Sequence, residues 1–562
     1  MKLTDLRQLG ARTQREWGGF ARHLFRADLH SDWTVLGVRR LLEVLASRRK
    51  DLYALMPVHA ANTPHKLAII GRDRSITYAQ LAAEADAFAR GLAALGVARK
   101  DKVIVALGNT PEAIVASAGA AAAGAVVVPV STHYKTRELA HVVTHSDAKL
   151  VCLTSELWQA VAGSATHTPE YLGGRSLVLL GDRHTWPAHA IAWEDVRGAT
   201  TAPKSLRDFW RALVATDHDP RLMLYTSGTT GQAKGAILDM QRVSILRAFE
   251  ILGACGFTKH DRFYTACPAY HAAPTAFIGF TLSAGGTVIL DDRFDAERVW
   301  HTLDESGVTA AFMVPTQIVR LLALPAEVLA RKPRTLTRLL SGGAALAPTV
   351  KQRALAAFGP IVYDFYGATE LGLVSIATPQ DLLRKPGTIG QPFPGVAVKL
   401  MHEGREVAAG VPGELYVSSD QFHFAYYKNA QATRDSALGA YRTVGDIATR
   451  DGDGFLFLVD RIADLIISGG VNIYPAEIEN ELLSHPLIAD AAVVGMPDAE
   501  WGESVCAFVV ARGPLGAAEV IAFCGERLSS FKKPKRVELI SEIPRSPQGK
   551  ILKRELRERL GR

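Results

Sequence analysis

The chain has 562 residues, enough for roughly three or four folding units at ~150 residues per unit. Hydrophobic residues make up 48% and charged residues 22% of the chain, values that exclude wholesale disorder, a collagen-like repeat and a membrane protein with many spans. The formal net charge is +7, and it is concentrated at the two ends. Residues 1–50 carry eleven Lys or Arg against five Asp or Glu, and residues 531–562 carry eleven against four.

The basic ends indicate anionic partners. Neither end interleaves basic and aromatic residues in a nucleic-acid reader motif, so no nucleic acid is expected. Anionic small molecules suit the C-terminal end, and an anionic membrane surface or an acidic protein face suits the N-terminal end. One helical face in the N-terminal segment would carry Trp17, Phe20, Leu24 and Phe25 beside arginines. This helix either contacts a membrane surface or docks on the protein itself.

The cysteines and the N-terminal residues indicate the cellular compartment of the protein. The five cysteines show no CxxC or Cys/His spacing, which favours buried thiols in a reducing compartment over disulfides or a zinc site. The first thirty residues lack the apolar core of a secretory signal. We expect a cytoplasmic protein. A peripheral location at the inner face of a membrane is kept open.

The segment from residue 75 to 130 alternates between helix and strand patterns. A helix is predicted to follow Ile76–Tyr78 and to stop at Gly96, because apolar residues recur at spacings of three and four; they are Leu81, Ala85, Phe88, Ala89, Leu92 and Leu95. A buried strand is predicted over 102–107, and similar strands over 288–290, 310–314 and 361–363. This alternation predicts mostly parallel sheets whose faces are covered by helices.

The longest apolar run extends from Ala113 to Val130. Its 18 residues reach the lower limit for a membrane span. Ala and Gly dominate it, however, and Pro129 interrupts its end. We expect a helix of small residues packed tightly on a sheet and then a buried strand, with a membrane span as the alternative.

The pattern changes after about residue 400. Short strands joined by Gly-rich turns predict a small β-rich unit, and a compact α+β stretch begins at Ile462. The fold class is therefore α/β: a large N-terminal domain of mostly parallel sheets plus the β-rich unit, followed by an α+β C-terminal domain. The main boundary is predicted at Asp460–Arg461.

The strongest chemical signal is the segment Tyr225–Gly235, YTSGTTGQAKG, which we call the phosphate loop. It follows a short apolar stretch that predicts a strand. Its glycines permit close backbone approach, so that successive N–H groups can surround a phosphate. The spacing is not that of a P-loop NTPase, G-x-x-x-x-G-K-[ST]. A Ser/Gly-rich surface turn is the alternative.

The phosphate loop resembles that of the adenylate-forming superfamily, which includes acyl-CoA synthetases, adenylation domains and beetle-type luciferases. Other segments between residues 55 and 560 resemble further motifs of that family, in its order. They are Pro268–His271 (acyl pocket), Ser341–Ala344 (adenine wall), Tyr366–Glu370 (YGxTE), Tyr441–Asp446 (ribose), Asp460–Arg461 (hinge) and Pro544–Lys550 (C-terminal lysine loop).

The resemblance implies a reaction and its cofactors. A carboxylate is joined to the α-phosphate of ATP with release of pyrophosphate, and CoA then accepts the acyl group. ATP, Mg²⁺ and CoA are the implied cofactors, and Mg²⁺ with a nearby cation would reduce the repulsion between the two reacting anions. The implied domains are a basic extension over 1–54, an AMP-binding domain over 55–461 and a mobile domain with the catalytic lysine over 462–562.

The resemblance also implies roles for individual residues. Lys550 would contact the attacking carboxylate and the α-phosphate as a positioned charge, His271 would line the carboxylate site, and Glu370 with Thr226 would bind Mg²⁺. Tyr366 would stack on adenine and Asp364 would accept from its amino group, while Asp446 would accept from both ribose hydroxyls. The remaining predicted contacts are Ser227, Gly228, Thr229, Thr230, Gly231 and Lys234 for the phosphates, Gly342, Gly343, Ala344, Gly367 and Thr369 for the nucleotide, Arg461 for the ribose, and Ser468, Gly469 and Gly470 for the pantetheine arm of CoA.

Each role has a structural alternative, and two positions depart from the family. Glu370 could be a surface residue, Tyr366 a core aromatic, His271 a structural histidine and Lys550 one basic residue of the tail. Ala463 stands where Asp or Lys is common at the pivot, and Met240 stands where His is common after the phosphate loop.

The acyl substrate is inferred from the segment after His271. Residues 271–280, HAAPTAFIGF, are mainly small and apolar and include no Lys or Arg. This favours a medium- or long-chain fatty acid, as in the long-chain acyl-CoA synthetases that the FYGATE motif resembles. The alternatives are an aryl-CoA ligase, a ligase that delivers acyl-adenylate to a carrier protein, and a non-catalytic binding protein; a homodimer is kept open.

Overall fold

The computed structural model describes residues 32–46, 51–162, 169–198, 222–226, 233–239, 253, 255–420, 423–469, 471–546 and 549–560. These residues belong to two compact units, which we describe separately. Unit 1 extends to Phe312 and includes Pro333–Leu336 and Asp420–Arg434; unit 2 comprises Met313–Lys332, Thr337–Ser419 and Asp435–Arg562. Most of the predicted N-terminal extension lies outside the described residues.

The secondary structure follows the predicted alternation of helices and strands. The described helices are α1 Val35–Ala46, α2 Met56–Asn62, α3 Tyr78–Ala94, α4 Pro111–Ala123, α5 Thr136–Ser146, α6 Ser155–Ala162, α7 Trp193–Gly198, α8 Ala272–Ser283, α9 Ala296–Glu305, α10 Pro315–Leu321, α11 Ala326–Leu329, α12 Pro348–Phe358, α13 Pro379–Arg384, α14 Ala430–Asp435, α15 Pro475–Leu482, α16 Ala517–Arg527 and α17 Lys553–Leu560. Short 3₁₀ turns span Glu170–Leu172, Arg183–Thr185 and Ile462–Asp464.

Twenty-nine strands are described, ten in the first half of the chain and nineteen in the second. They are β1 Leu67–Ile70, β2 Ser75–Thr77, β3 Lys102–Ala106, β4 Val126–Pro129, β5 Ala148–Thr154, β6 Ser176–Leu180, β7 Ile191–Ala192, β8 Leu222–Thr226, β9 Lys234–Asp239, β10 Arg262–Thr265, β11 Thr287–Leu290, β12 Ala310–Met313, β13 Arg338–Ser341, β14 Val362–Ala368, β15 Gly372–Ala377, β16 Gln391–Pro392, β17 Val396–His402, β18 Arg405–Glu406, β19 Gly413–Ser419, β20 His423–Tyr426, β21 Ala437–Leu438, β22 Tyr441–Arg442, β23 Asp446–Arg450, β24 Leu456–Arg461, β25 Ile466–Ser468, β26 Val471–Ile473, β27 Ile488–Asp498, β28 Gly502–Ala511 and β29 Arg536–Leu539.

Unit 1 contains two mostly parallel sheets, as predicted. One has the strand order β20-β9-β8-β4-β3-β5-β6-β7, in which the pairs from β8 to β7 are parallel and β9 is antiparallel to both of its neighbours. The other places β12, β10, β11, β1 and β2 side by side, with parallel pairs up to β1 and an antiparallel β2. Because parallel strands are covered on both faces, they are continuous apolar runs, as in the fully buried β4.

Unit 2 is richer in antiparallel pairs. Strands β13 and β14 are parallel, whereas β14, β15 and β16 continue antiparallel. Strands β17 to β19 and β21 to β24 form the small antiparallel sheet that the sequence predicts after residue 400. Strands β25 to β29 form a further sheet, in which β27 and β28 pair along almost their whole length. The predicted α/β class is confirmed.

The small-residue helix α4 packs closely against α3. Thr110 caps the start of α4 by accepting a hydrogen bond from the Ala113 N–H, and Gly124 ends it with φ of 81°. A Cβ atom added at Gly119 would lie 2.6 Å from the carbonyl oxygen of Ala85 in α3. The prediction of a tightly packed helix followed by a buried strand is confirmed. Within the described ranges, no helix is long and apolar enough to cross a membrane.

The five cysteines are free and buried, as expected for small apolar side chains. Burial raises the pKa of the Cys524 thiol to about 11 and that of Cys506 to about 11, so both thiols are protonated near neutral pH.

Two apolar side chains of helix α1 are exposed: Val35 by 91% and Leu42 by 60%. The membrane contact predicted for residues 1–50 stays a prediction, because the aromatic face proposed for it lies outside the described residues.

The contact between α3 and α4 generates a prediction for stability. The variant Gly119→Val should lower the thermal unfolding midpoint by roughly 2–12 °C, since overpacking costs ~1–3 kcal/mol and each kcal/mol shifts the midpoint of a large domain by ~2–4 °C. The measurement is thermal unfolding followed by circular dichroism. Ala122→Val, at a half-buried position of the same helix, is the matched control and should shift the midpoint by less than about 3 °C. Equal shifts in both variants would contradict the close packing.

Candidate functional site

The phosphate loop connects two paired strands of unit 1. Strands β8 and β9 are antiparallel, and their register places Thr226 opposite Lys234 at the open end of the pair. The Lys234 ammonium lies 5.3 Å from the centre of the Tyr426 ring, a cation–π distance. The predicted phosphate contacts from Ser227 to Gly231 lie outside the described residues, so the structure locates both ends of the loop.

His271 stands at the start of α8, directly after the predicted acyl-pocket segment. Its ring is 4.3 Å from that of Tyr270. Burial lowers the pKa of His271 to about 4, so the imidazole is neutral at pH 7. It can therefore donate one hydrogen bond to a carboxylate, but it does not supply a positive charge there.

Asn109, which sequence reasoning missed, holds the acyl-pocket segment in place. Its side-chain oxygen accepts a hydrogen bond from the Ala269 N–H at 2.7 Å, and its side-chain nitrogen donates to the carbonyl oxygens of Cys267 and Asp291 at 3.0 and 2.8 Å. Thr275 adds a bond to the Ala269 carbonyl oxygen at 2.6 Å. The sequence signal was weak, because an Asn before a predicted helix usually indicates only a cap or a turn.

A cavity in unit 1 lies beside the same segment. It is bounded by α4, by β3 and β4, by α8 and by residues 51–53. Most of its lining is apolar, and Tyr53, Ser117, Tyr270 and Thr275 contribute hydroxyl groups. Asp51 is the one charged group among the described lining residues. The cavity therefore suits an apolar group and offers no cation for a second carboxylate.

In unit 2 three of the predicted nucleotide contacts form one chain of hydrogen bonds. The Tyr366 hydroxyl donates to Asp446 Oδ2 at 2.6 Å, and Arg461 Nε lies 2.7 Å from Asp446 Oδ1. Asp446 and Arg461 are opposite each other in the β23–β24 pair, so strand register sets the ion pair. Burial, followed by the Asp446 charge, raises the pKa of Tyr366, and its hydroxyl keeps its proton.

This arrangement leaves Asp446 able to accept further hydrogen bonds. A carboxylate offers about four acceptor positions, and Tyr366 and Arg461 each occupy one. Two positions remain, the number that a vicinal diol needs. The residues present thus fit a ribose, although the side chain of Asp446 is only 8% exposed. The predicted ribose and adenine contacts themselves stay predictions.

Lys550 belongs to a closed loop that a single arginine organises. Arg545 bonds both carboxylate oxygens of Asp490 at 2.8 Å and donates to the carbonyl oxygen of Gly549 at 2.8 Å. The Ser546 N–H donates to the Lys550 carbonyl oxygen at 2.8 Å, which closes the loop. Gly549 has φ of 75°, and a Cβ atom there would lie 2.7 Å from Thr316 Oγ1. Only glycine fits this position without strain.

The Lys550 side chain lies in the electrostatic field of the predicted nucleotide site. Burial, and then the Arg461 guanidinium, lower its pKa below the ordinary value for lysine, while Asp446, Asp464 and Glu370 oppose that shift. The sequence held no sign of a lowered pKa, because the guanidinium that contributes to it is 89 residues away in the chain. Unit 2 therefore brings Lys550 near Arg461 and Asp446, as the motifs together predict.

Asp364 and Gly342 have contacts that the sequence did not suggest. The Asp364 carboxylate forms a buried ion pair with Lys351 at 2.7 Å, and both side chains are 4% exposed. Lys351 also donates to the Thr388 carbonyl oxygen at 2.8 Å. A Cβ atom at Gly342 would lie 2.4 Å from the Phe365 ring. The adenine contacts predicted for Asp364 and Gly342 stay predictions, and each residue already has a structural partner.

The remaining predicted contacts lie on turns of unit 2. Thr369 and Glu370 are half-buried in the turn between β14 and β15, and a Cβ atom at Gly367 would lie 2.3 Å from the Gly372 carbonyl oxygen. Gly343 and Ala344 follow β13, with Gly343 at φ of 83°. No group of three or more His, Cys, Asp or Glu within the described ranges is arranged to hold a metal ion. Mg²⁺ commonly takes one or two carboxylates plus substrate phosphates, so Glu370 remains a suitable ligand.

The predicted CoA segment is a hairpin turn between β25 and β26. Ser468 pairs with Val471 across the turn, Gly469 has φ of 57°, and Gly470 lies outside the described residues. The Gly469 N–H donates to the Trp501 carbonyl oxygen at 2.8 Å. Trp501, Ile467 and Val471 are exposed by 44%, 53% and 44%. An apolar surface that solvent can reach therefore surrounds the turn.

Two family models and several ligases match this chain. A family model described as AMP-binding enzyme matches residues 56–427, and one described as AMP-binding enzyme C-terminal domain matches residues 477–550. The chain is 32% identical to a 2-succinylbenzoate–CoA ligase of Bacillus licheniformis, over 88% of this chain and 97% of the relative. It is 32% identical to the fatty acid–[acyl-carrier-protein] ligase ScoC of Streptomyces coeruleorubidus (89% and 95% covered) and 31% identical to the long-chain-fatty-acid–CoA ligase FadD13 of Mycobacterium tuberculosis (86% and 93%).

Solved structures with the same fold include two nucleotide complexes. ATP-bound MatB from Rhodopseudomonas palustris superposes with a TM-score of 0.80 at 28% identity, covering 91% of this chain and 99% of that one. The o-succinylbenzoate CoA synthetase MenE of Bacillus subtilis, in complex with ATP and magnesium ion, superposes with a TM-score of 0.75 at 26% identity, covering 90% and 99%.

The Lys351–Asp364 ion pair allows a test of whether Asp364 stabilises the fold, binds adenine, or does both. Lys351→Met should lower the unfolding midpoint by roughly 6–20 °C, because a buried carboxylate without its partner costs ~3–5 kcal/mol. The double variant Lys351→Met/Asp364→Leu should recover most of that loss, since an apolar pair replaces the ion pair. The measurements are thermal unfolding and ATP affinity.

Two outcomes would contradict these assignments. A double variant no more stable than the single variant would contradict the account of the ion pair. Unchanged ATP affinity in a folded double variant would contradict the adenine contact predicted for Asp364.

Proposed function

The chain belongs to the AMP-binding enzyme family, and from that premise we propose that it is an acyl-CoA synthetase for medium- or long-chain fatty acids. The enzyme would first form acyl-adenylate and pyrophosphate from the acid and ATP, and then acyl-CoA and AMP. The coarser assignment, an AMP-forming acyl- or aryl-CoA ligase, holds whichever acid is used. The observation that carries the proposal is the hydrogen-bonded group Tyr366–Asp446–Arg461 with Lys550 in its field.

The nucleotide is assigned to this group and to the phosphate loop. Asp446 would hold the ribose through its two remaining acceptor positions, with Arg461 beside it and the Tyr366 ring against the base. Lys234 and the hydroxyl groups of the phosphate loop would bind phosphate oxygens. Mg²⁺, when bound, neutralises phosphate charge, and Glu370 with Thr226 are the residues that would hold it.

Lys550 is assigned to the adenylation step. Its ammonium group, held by the Arg545 loop, would reduce the repulsion between the entering carboxylate and the α-phosphate. His271 is neutral and would orient the carboxylate by hydrogen bonding. Neither residue needs to move a proton, because a carboxylate attacks in its ionised form.

CoA is assigned to the hairpin turn at Ser468–Gly470. The exposed Ile467, Val471 and Trp501 around this turn would contact the pantetheine arm, and Lys535, which lies 5.5 Å from the Trp501 ring centre, is a nearby cation for a CoA phosphate. The C-terminal domain assigned to residues 462–562 would use Lys550 and then this turn in succession. The separate matches over 56–427 and 477–550 support domains over 55–461 and 462–562, preceded by an extension over 1–54.

The fatty acid is favoured over other acids by the apolar surroundings of His271. Helix α8 and the neighbouring cavity offer apolar side chains and no Lys or Arg in their described lining. The relatives include ligases named for an aryl acid, for a carrier protein and for long-chain fatty acids, so an aryl-CoA ligase and an acyl-carrier-protein ligase are the alternatives. A non-catalytic binding protein is disfavoured by the shared presence of Glu370, Asp446 and Lys550.

The acid preference can be measured directly. CoA-dependent AMP release should rise for saturated acids beyond C8 and stay low for benzoates and hydroxycinnamates, because the pocket walls are apolar. The assay compares acids from C2 to C20 with a few aromatic acids, with and without CoA. A clear preference for acetate, succinylbenzoate or a hydroxycinnamate would contradict the fatty acid assignment, and product formation on a carrier protein but not on CoA would favour the carrier-protein ligase.

Lys550 should affect only the formation of acyl-adenylate, and its deprotonation should limit that step at alkaline pH. Lys550→Ala should slow acyl-adenylate formation by ~10²–10³-fold, while conversion of supplied acyl-adenylate and CoA to thioester stays near the wild-type rate. Since burial and the Arg461 guanidinium lower the pKa of Lys550, the ammonium loses its proton at a lower pH than that of an ordinary lysine. Adenylation should therefore fall as pH rises through that lowered value, and Lys550→Arg should move the fall to higher pH.

The exposed Lys533 provides a matched control in the same part of the chain. Lys533→Ala should leave both half-reactions and the alkaline limit unchanged. Equal damage by Lys550→Ala to the two half-reactions would show instead that Lys550 is structural or serves both steps.

A further inference from the structure

We propose that His141 and His145 are positioning residues for the phosphate loop: from adjacent turns of α5, each imidazole holds one end of the β8–β9 connection, so that both ends are in place when a nucleotide triphosphate binds. The inference rests on the proposed function, because it concerns how the same nucleotide site is held. Neither histidine belongs to a motif that the family resemblance covers.

The two histidines contact opposite ends of the loop. His145 Nδ1 lies 2.8 Å from the Tyr225 hydroxyl oxygen, on the strand that enters the loop. His141 Nε2 lies 3.0 Å from the carbonyl oxygen of Ala233, the residue before the strand that leaves it. A spacing of four residues places both rings on one face of the helix. The rings stack with centroids 5.4 Å apart.

The hydrogen-bond chemistry distinguishes the two rings. A carbonyl oxygen only accepts, so His141 carries a proton on Nε2 and donates it to Ala233. The Tyr225 hydroxyl, 3.4 Å from the Val142 carbonyl oxygen, both donates and accepts and meets His145 at Nδ1. His141 thus contacts Ala233, just before β9, through Nε2, the ring nitrogen farther from the backbone. His145 contacts Tyr225 in β8 through Nδ1, the nearer ring nitrogen.

Other contacts hold helix α5 against the same strands. Asp147, which ends α5, accepts from the Tyr427 hydroxyl and from the Lys428 ammonium, each at 2.8 Å. The Tyr427 N–H in turn donates to the Gly235 carbonyl oxygen at 2.8 Å, and Lys102 donates to the Tyr427 hydroxyl at 3.0 Å. The helix that carries the histidines is therefore fixed to β9, so its contacts can determine where the ends of the loop lie.

This support matters because phosphate binding by backbone N–H groups depends on their prior arrangement. Holding the two ends of a loop during folding removes part of the ordering cost from ligand binding. Loss of either contact should therefore weaken ATP binding and adenylation, and it should leave the later thioester step unaffected. A histidine that only stabilised the fold would not separate the two steps.

The different ring nitrogens permit a matched test. The amide nitrogen of Asn can replace Nδ1, and that of the longer Gln can replace Nε2. We expect His145→Asn and His141→Gln to bind MgATP within about twofold of wild type, and His145→Gln and His141→Asn to bind it about fivefold to tenfold more weakly, the effect of one lost hydrogen bond. The measurements are calorimetric MgATP affinity, the KM for ATP in adenylation, and the rate of thioester formation from supplied acyl-adenylate.

Tyr225→Phe keeps the ring and removes only the hydroxyl group, so it provides an independent variant if a histidine variant is unstable. It should weaken MgATP binding by a similar factor, and combining it with His145→Gln should add little. Equal MgATP affinity for matched and mismatched amides, with an unaffected Tyr225→Phe, would overturn the inference while the proposed function stands. Absence of MgATP binding by the wild-type protein would instead refute the proposed function, and the positioning role with it.

Discussion

The ion pair between Asp446 and Arg461, extended by the Tyr366 hydroxyl, is the interaction on which the arrangement of unit 2 depends. Asp446 is almost buried, and a buried carboxylate is stable only when paired and hydrogen-bonded. The register of β23 and β24 provides Arg461, and β14 provides Tyr366. The β23–β24 hairpin and a residue of β14 that is 80 positions earlier in the chain thus meet at one carboxylate. Lys550 then lies near a cation and an anion at once, so its pKa responds to both.

Half-buried polar side chains hold the loops of the candidate site through hydrogen bonds to backbone groups. Asn109 fixes the acyl-pocket segment through three hydrogen bonds to backbone groups, and Arg545 fixes the Lys550 loop through Asp490 and Gly549. Backbone groups in a loop lack the partners that a helix or strand provides, so side chains must satisfy them. A loop supported in this way can present a functional group without rearrangement when ligand arrives. The two histidines proposed for the phosphate loop follow the same principle.

Part of the fold and of the site was predictable because its determinants are local. The apolar spacing of α3, the small residues of α4 and the continuous apolar run of β4 each depend on neighbours within a few residues, and the structure confirms them. Glycines at turns were informative for the same reason, since a positive φ is a local property, as at Gly549 and Gly469. Even so, one helix end moved: α3 ends at Ala94, before the predicted stop at Gly96, because the last turn of a helix depends on contacts with other elements.

By itself, the sequence determined the α/β class, the order of the motifs and the residue types of the predicted nucleotide site, since these depend on local periodicity and on short segments with characteristic chemistry. Only the tertiary structure decided which groups meet. It paired Asp364 with Lys351, filled the space beside Gly342 with Phe365, lowered the pKa of Lys550 and placed His141 and His145 at the ends of the phosphate loop. Each of these contacts joins residues separated by a dozen or more positions along the chain. Strand register and helix packing decide such pairings, and neither can be read from a local pattern, because the energy of a contact depends on the partner that folding brings to it.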